Sequence, residues 1–239
     1  MKEDHRPGFS VVAGRVSKAL KIKRVLEEEL GQPLDGLRVL DVGTGTGEIA
    51  SELGRQCEVV SVDPIDNRGV KKGYQYVCAA THLPFVEGSF DIAISNHVIE
   101  HLHDAENHLE ELARVVRPGG LVYLATPNRQ WPLEVHYKVW LLHWLPAVAF
   151  NTILRWANRY QEPLWLLSWG GLKRIAKKQF QLRLWSDRVA RNPINYHLIV
   201  SPRTASILGA IPLWVFRVTA SLHPTFIVVL RPLKSGQVK

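Results

Sequence analysis

The chain has 239 residues, of which 46% are hydrophobic, and this composition supports a folded core and excludes a disordered chain. The formal net charge is +8, and the two cysteines, Cys57 and Cys78, exclude a dense disulfide framework. The first ten residues are polar and lack the apolar centre of a signal peptide, so we expect a cytoplasmic protein.

The charge is divided unevenly along the chain. Residues 1–126 carry 14 Lys and Arg against 19 Asp and Glu, whereas residues 127–239 carry 16 against 3. All eight tryptophans, from Trp131 to Trp214, also fall in the second part. A basic, tryptophan-rich half favours an anionic partner such as lipid headgroups, a phosphorylated substrate or nucleic acid. The alternative is a solvated basic surface over an aromatic core.

The first predicted element is a helix from Ser17 to Leu30, which Gly31 and Pro33 end. Short apolar runs of strand length follow, and a helix ending at "RPGG" lies between the last two of them. These runs are RVLDV, EVVSV, YQYVCA, FDIAIS and LVYLAT. Apolar strands that alternate with helices predict a parallel sheet covered on both faces, in a doubly wound α/β fold.

Beyond these strands the pattern changes to a segment rich in Trp, Leu and Pro. A helix over 171–179 and two further strands, FQLRLWSDRV and TFIVVLRP, are predicted after it. We expect a single domain over 1–239. Its parts are an N-terminal helical region (1–36), a ligand-binding core (37–128), an insertion or substrate cap (127–170) and a C-terminal part of the core (171–239).

The stretch "VLDVGTGTGEIA" places a glycine-rich turn directly after the first strand. Glu48 stands where a dinucleotide fingerprint needs its third glycine, and the stretch lacks the lysine of a phosphate loop. Asp41 can accept a hydrogen bond from an ammonium group, and Asp63, at the end of the second strand, can hold both hydroxyls of a ribose. A ligand with an amino-acid end and a ribose, such as S-adenosylmethionine, has this layout.

Four ordered blocks carry a resemblance to a known family: VLDVGTGTGEIA, VVSVDPID, LPFVEGSFDIAISNHVIEHLHD and LEELARVVRPGGLVYLATPN. Together they span about residues 37–128, and they resemble the class I S-adenosylmethionine-dependent methyltransferases, specifically the type 11 small-molecule branch. The resemblance implies a Rossmann-like sheet of seven strands whose last strand runs antiparallel, with a Trp-rich helical insertion after the fifth strand. It also implies S-adenosylmethionine as the cofactor.

The resemblance assigns cofactor contacts by position. The methionine end would be lined by Asp41, Gly43, Gly45, Thr46 and Gly47, the ribose would be held by Asp63, and the adenine would lie against Pro64 and Ile65. Asn96 and His97 would sit beside the sulfonium. The family often has an acidic residue at the position of Ala79, so the adenine amine is left to backbone groups at Ala79 and Ala80 or to Thr81 or His82.

Histidines supply the candidates for a general base, because a hydroxyl acceptor must lose a proton. His97 and His101 are four residues apart and could share a helical face as a base, as a metal pair or as neither. Glu100 is expected to point away from that face, and we predict no metal site. His136, just beyond the fifth strand, is the preferred base, and His101 is the second candidate.

The tryptophan-rich segment could cap the pocket, grip a hydrophobic acceptor or lie in a bilayer surface. Its apolar stretch is interrupted at His143, Pro146 and Asn151 and is too short for a transmembrane span. The predicted function is O-methylation of a small or lipid- or glycan-linked acceptor, with possible contact to an anionic membrane. There are two alternatives. One is an RNA methyltransferase, which the absence of an "NPPY"-type block disfavours, and the other is a non-enzymatic binding platform.

Overall fold

The computed structural model describes residues 8–134, 137–158 and 163–233, with side chains described from residue 14 onward. The first helix, α1, runs from Gly8 to Leu30 and so begins earlier than the predicted Ser17. Ile22, Val25 and Leu26, spaced three and four residues apart, are fully buried against the sheet. The amide of Gly31 closes the helix on the carbonyl of Glu27.

A seven-stranded sheet forms the centre of the molecule, in the order β3-β2-β1-β4-β5-β9-β8. The strands from β3 to β5 in this order are parallel, and β9 runs antiparallel to both β5 and β8. The fold class predicted from the sequence is therefore confirmed. The strands are β1 Arg38–Val42, β2 Glu58–Asp63, β3 Gln75–Cys78, β4 Phe90–Asn96, β5 Val116–Pro127, β8 Phe180–Leu184 and β9 Thr225–Pro232.

Helices cover both faces of the sheet and divide the core into two layers. One layer lies between the sheet and the helices α3 and α5, and the other lies between the sheet and α1, with Trp185 at its centre. The helices besides α1 are α2 Glu48–Leu53, α3 Ala105–Val115, α4 Ala147–Trp156, α5 Trp169–Ala176, α6 Ser186–Arg191, α7 Pro202–Ala210 and α8 Leu213–Val218.

The helix predicted over 171–179 is α5, which runs from Trp169 to Ala176, and two further predictions also differ from the structure. The "RPGG" segment belongs to β5, because Val116 already pairs with Phe90 and the extra residues form a bulge before Leu121 pairs with Ile92. The predicted strand FQLRLWSDRV ends at Leu184. Its second half is helical because Trp185 turns into the core, where its amide donates to the Ile227 carbonyl.

The segment after β5 adds a small layer of its own. It contains a hairpin of β6 Leu133–Glu134 and β7 Val139–Trp140, followed by α4. Its core is formed by Tyr137, Phe150, Leu154 and Leu164. The helices of the described ranges include none that combines the length and apolar character needed to cross a membrane.

Candidate functional site

The glycine loop lies at the carboxyl edge of the sheet, between β1 and α2. Gly43, Gly45 and Gly47 have φ values of +79°, +54° and +89°, a region that other residues rarely adopt. A Cβ at Gly47 would meet the Tyr74 hydroxyl and the Val70 carbonyl, both at 2.3 Å, and a Cβ at Gly43 would meet Val98 at 2.4 Å. Among the described residues, a Cβ at Gly45 would meet only the Arg15 guanidinium, at 3.7 Å. The loop therefore leaves open space for a ligand at Gly45.

Asp63 ends β2 beside this loop, as the sequence predicted. One oxygen of its carboxylate accepts from the Gly45 amide at 3.1 Å, and the other accepts from the Ile65 amide at 3.0 Å. These bonds fix the orientation of the carboxylate, and each oxygen retains a lone pair for a ligand hydroxyl. The structure thus brings Asp63 and the glycine loop together.

Asp41 lies beneath the loop and is only 2% exposed. Burial raises the pKa of its carboxyl to about 7, although the Ser61 hydroxyl, which donates to it at 3.0 Å, acts in the opposite direction. The negative charge of Asp63 adds to the rise. A cation placed beside such a buried carboxyl stabilises its ionised form.

The predicted adenine contacts lie at the ends of β2 and β3. Pro64 and Ile65 are exposed, and the amide of Ala79 donates to the Asp63 carbonyl at 3.3 Å. Ala80 is exposed beside them, whereas the ring of His82 lies 3.1 Å from the Glu111 carboxylate on α3. Backbone groups, Ile65 and the exposed Thr81 are therefore the contacts available on this side.

Asn96 is the last residue of β4, and its side chain is the next feature of the site. Its side-chain oxygen is buried and has no hydrogen-bond partner in the described part of the chain. A buried acceptor of this kind normally pairs with a ligand or a water molecule. Together with the open side of Gly45 and the oriented Asp63 carboxylate, it fits a ligand that carries an ammonium group and ribose hydroxyls. The individual cofactor contacts, including those of Thr46 and His97, stay predictions.

The expectation that Glu100 points away from His97 is wrong. The chain after β4 forms a 3-10 turn over Ile99–His101, and His97 has a φ of +60°. His97 precedes this turn, and its Nδ1 lies 3.1 Å from the fully buried Glu100 carboxylate. The Thr126 hydroxyl donates to the other carboxylate oxygen at 3.1 Å.

The charge of Glu100 is stabilised by these contacts. Burial opposes ionisation of Glu100, but the hydrogen bond with His97 and the charges of His97 and His101 outweigh it and keep the pKa of its carboxyl below the ordinary value. His97 is thereby held in one orientation at the carboxyl edge of the sheet. A histidine oriented by a buried carboxylate is the arrangement that general bases use.

The remaining histidines are distributed differently from the prediction. His101 ends the 3-10 turn and does not share an α-helical face with His97. His103 packs edge-on against the Trp165 ring, with 4.6 Å between centroids. His136, the preferred base, lies outside the described residues, so its role stays a prediction. The described residues also contain no group of three His, Cys, Asp or Glu side chains that could hold a metal ion.

A cavity of about 570 Å³ opens at the same edge of the sheet, and His97 forms part of its wall. Sequence reasoning missed most of its polar groups, which come from α1 and from the turn before β9. Its lining includes Lys18, Lys21, Trp131, Ser186, Val189, Leu198, Phe216, Leu222, His223 and Ile227. Lys18 and Lys21 are three residues apart and therefore lie on one side of α1, which is the signal that the sequence offers. The pattern of charges alone does not distinguish lysines that line a cavity from lysines on a solvated helix face.

Arg15 is a second contribution of α1 that the sequence did not predict. Its guanidinium binds the hydroxyl of Thr46 and lies 3.4 Å from the Glu48 carboxylate. It therefore places a positive charge against the glycine loop, where the carboxylate of an amino-acid ligand would need one.

A family model described as a methyltransferase domain matches residues 15–178, more than half of the chain. The chain belongs to the class I S-adenosylmethionine-dependent methyltransferases. S-Adenosylmethionine is accordingly the cofactor of this methyltransferase. The matching description names no branch of the family, so membership of the type 11 branch stays a prediction.

Relatives of this methyltransferase include the ubiquinone biosynthesis O-methyltransferase of Rhizobium etli. The two are 35% identical over 145 residues, which cover 56% of this chain and 54% of the relative. The chain thus spans about half the length of the curated relatives it matches.

Solved structures share the fold of this methyltransferase. Phosphoethanolamine N-methyltransferase 2 of Haemonchus contortus, in complex with S-adenosyl-L-methionine, has a TM-score of 0.54 at 16% identity, covering 89% of this chain and 52% of that one. The [4+2]-cyclase SpnF has a TM-score of 0.52 at 17% identity, covering 98% and 85%. Because the same fold occurs in a cyclase, the fold alone does not define a reaction.

Proposed function

We propose that this methyltransferase transfers a methyl group to a hydroxyl oxygen of an apolar or lipid-linked acceptor. The observation that carries the proposal is the cavity at the carboxyl edge of the sheet, which is walled largely by apolar side chains and contains the His97 ring. The Rhizobium etli relative bears the name of an O-methyltransferase, which supports oxygen as the methylated atom.

S-Adenosylmethionine supplies a methyl group attached to a positively charged sulfur. The protein therefore has to hold donor and acceptor in line, and orientation of this kind is worth roughly 7–11 kcal/mol. The glycine loop and Asp63 would hold the donor, and the cavity would hold the acceptor. The ring of His97, oriented by Glu100, would accept the hydroxyl proton, a role typically worth about 100- to 10,000-fold in rate.

The acceptor is proposed to reach the cavity from an anionic lipid surface. Leu222 lines the cavity, and it also lines a groove of about 400 Å³ together with Trp144 and Arg129. Trp144, Trp214 and Val218 are exposed large apolar side chains in the same basic half of the chain. Tryptophan and arginine around short apolar segments are typical of proteins that bind at a membrane interface.

Calorimetric titration with S-adenosylmethionine, with NAD in parallel, tests the donor site. We expect S-adenosylmethionine alone to bind, and Asp63→Ala to weaken its binding at least tenfold without a change in folding, because the ribose hydroxyls lose their acceptor. Unchanged affinity in Asp63→Ala would contradict the ribose assignment.

Transfer of a labelled methyl group into a bacterial lipid extract, with mass spectrometry of the product, tests the acceptor. His97→Gln should lower turnover about 100-fold or more, a larger effect than any loss of cofactor affinity. His197→Asn is the control, because His197 is exposed, is absent from the cavity wall and has a φ of +56° that asparagine tolerates. A methylated carbon or nitrogen in the product, or full turnover by His97→Gln, would overturn the proposal.

A further inference from the structure

Two lysines of α1 form part of the cavity wall without a compensating charge. Lys21 is only 9% exposed. Across residues 14–134, 137–158 and 163–233, no side chain or carbonyl pairs with the ammonium of Lys18 or Lys21. Burial lowers the pKa of Lys21 to about 8, and the charge of Lys18 contributes in the same direction. Lys18 is exposed, whereas the side chain of Lys21 is largely buried, and a largely buried charge without a protein partner reduces folding stability. This cost favours a ligand that pairs with the ammonium of Lys21.

His223 provides a second, independent observation in the same cavity. Its side chain is 8% exposed, and neither ring nitrogen has a hydrogen-bond partner of normal geometry in the described part of the chain. Burial keeps the pKa of His223 below its ordinary value, although the charge of Asp187 and a poorly aligned contact with the Phe216 backbone act in the opposite direction. Buried polar groups of native proteins are nearly always paired, so this ring also lacks a partner that a ligand would supply.

Asp187, whose charge acts on His223, does not supply the missing partner. Asp187 is 1% exposed, and its carboxylate is already held by Arg217 at 2.9 Å and by the Arg188 amide at 2.8 Å. The cavity therefore combines a surplus of positive charge with unsatisfied donors. Its remaining wall is largely apolar and includes Val189, Leu198, Phe216, Leu222 and Ile227.

We propose that the acceptor is an anionic amphiphile, whose carboxylate or phosphate pairs with Lys18 and Lys21 and whose apolar part fills the rest of the cavity. His223 donates a further hydrogen bond to the polar end of this molecule. The inference rests on the proposed function, because it assigns the acceptor to the same cavity. A neutral acceptor would displace water around the ammonium of Lys21 without supplying a charge, which is the more costly arrangement.

Binding of three probes to the purified protein, with S-adenosylhomocysteine present, tests the inference by calorimetry. The probes are decanoate, decyl phosphate and decanol below their micellar concentrations, and they separate a carboxylate, a phosphate and a neutral head on the same chain. Lys21→Met is the test variant, because methionine keeps an unbranched apolar side chain without the charge. Lys23→Met on the same helix is the control, because Lys23 pairs with Glu27 and is absent from the cavity wall.

We expect at least one anionic probe to bind the wild type at least tenfold more tightly than decanol does. Lys21→Met should remove that preference and leave decanol binding unchanged, and Lys23→Met should behave as the wild type. Lys21→Met should also unfold at the same temperature or a higher one, since it removes an uncompensated buried charge.

Equal binding of the three probes, no binding of either anion, or a lower unfolding temperature in Lys21→Met would each overturn the inference. A loss of S-adenosylmethionine affinity in Lys21→Met would overturn it too, by assigning the lysine to the carboxylate of the cofactor. Cofactor binding by the wild type is measured separately, so failure of the proposed function is distinguishable from failure of this inference.

Discussion

Asp41 shows how a single residue couples the cofactor site to pH. Its folded-state pKa of about 7 lies well above the ordinary value of 3.8 because the carboxyl is buried. The unfolded chain releases this proton near pH 4 and the ligand-free folded protein holds it to about pH 7. The stability of the ligand-free protein should therefore fall as the pH rises between these values.

We predict that S-adenosylmethionine affinity rises between about pH 6 and pH 8, because ionised Asp41 favours the ammonium of the cofactor. Asp41→Asn should flatten this pH profile and also remove the matching loss of ligand-free stability. Calorimetry and thermal unfolding across this range measure the two effects, with Asp35→Asn as the exposed control. A pH profile that Asp41→Asn leaves intact would contradict the assignment.

Individual residues also show where sequence reasoning succeeded and failed. Asp63 and the glycine loop were predicted because each follows directly from a strand end, which is a local feature. The contact between His97 and Glu100 was missed because an α-helix was assumed where the chain forms a 3-10 turn. Lys21 and His223 share a cavity although they are about 200 residues apart in the chain, and no local pattern indicates such a contact.

At the scale of elements, α3 is joined to the loop before β4 by an ionic clamp. The Glu111 carboxylate accepts from the Leu83 amide at 2.8 Å, and Arg114 donates to that carboxylate and to the carbonyls of Leu83 and Phe85. The hydrogen bond from Arg114 is the main cause that lowers the pKa of Glu111 to about 2, and the Leu83 amide adds to it. The stabilisation is therefore present above the ordinary carboxyl pKa and is lost as the pH falls from about 4.5 towards 2.

We predict that Glu111→Gln lowers the free energy of unfolding by about 1–3 kcal/mol at pH 7, because it leaves Arg114 without its charged acceptor. Urea denaturation measures this loss, and the difference from the wild type should shrink as the pH falls below about 4. Glu110→Gln is the matched control, because Glu110 is an exposed neighbour on the same helix. Equal losses in the two variants would show that the clamp contributes nothing.

The elements that differ from the sequence-based prediction do so for tertiary reasons. "RPGG" has the local character of a helix end, but pairing of Val116 with Phe90 draws it into β5. FQLRLWSDRV has the composition of a long strand, yet burial of Trp185 against α1, where its ring nitrogen donates to Glu29 at 3.0 Å, ends the strand. Both outcomes depend on partners far away in sequence, whereas the alternating order of strands and helices was evident locally.

At the scale of the whole molecule, the exposed apolar surface and the cavity adjoin one another. Trp214, Val218 and Leu222 recur every four residues along α8 and the turn after it, and all three are exposed. Phe216 and Leu222 also line the cavity, so one short segment serves the interior and the surface. The half of the chain that contains this segment is strongly basic, as an anionic lipid surface requires.

We predict that the protein sediments with vesicles containing phosphatidylglycerol and not with vesicles of phosphatidylcholine alone, and that salt weakens the binding because basic residues contribute to it. Trp214→Ser should lower the affinity roughly tenfold or more, since it removes the burial of a large aromatic side chain in the interface. Val86→Ser is the control, because Val86 is exposed in the acidic half of the chain. The prediction fails if low salt gives no sedimentation, if both variants lose equal affinity, or if RNA binds in place of the vesicles. The last result would assign the basic half to nucleic acid.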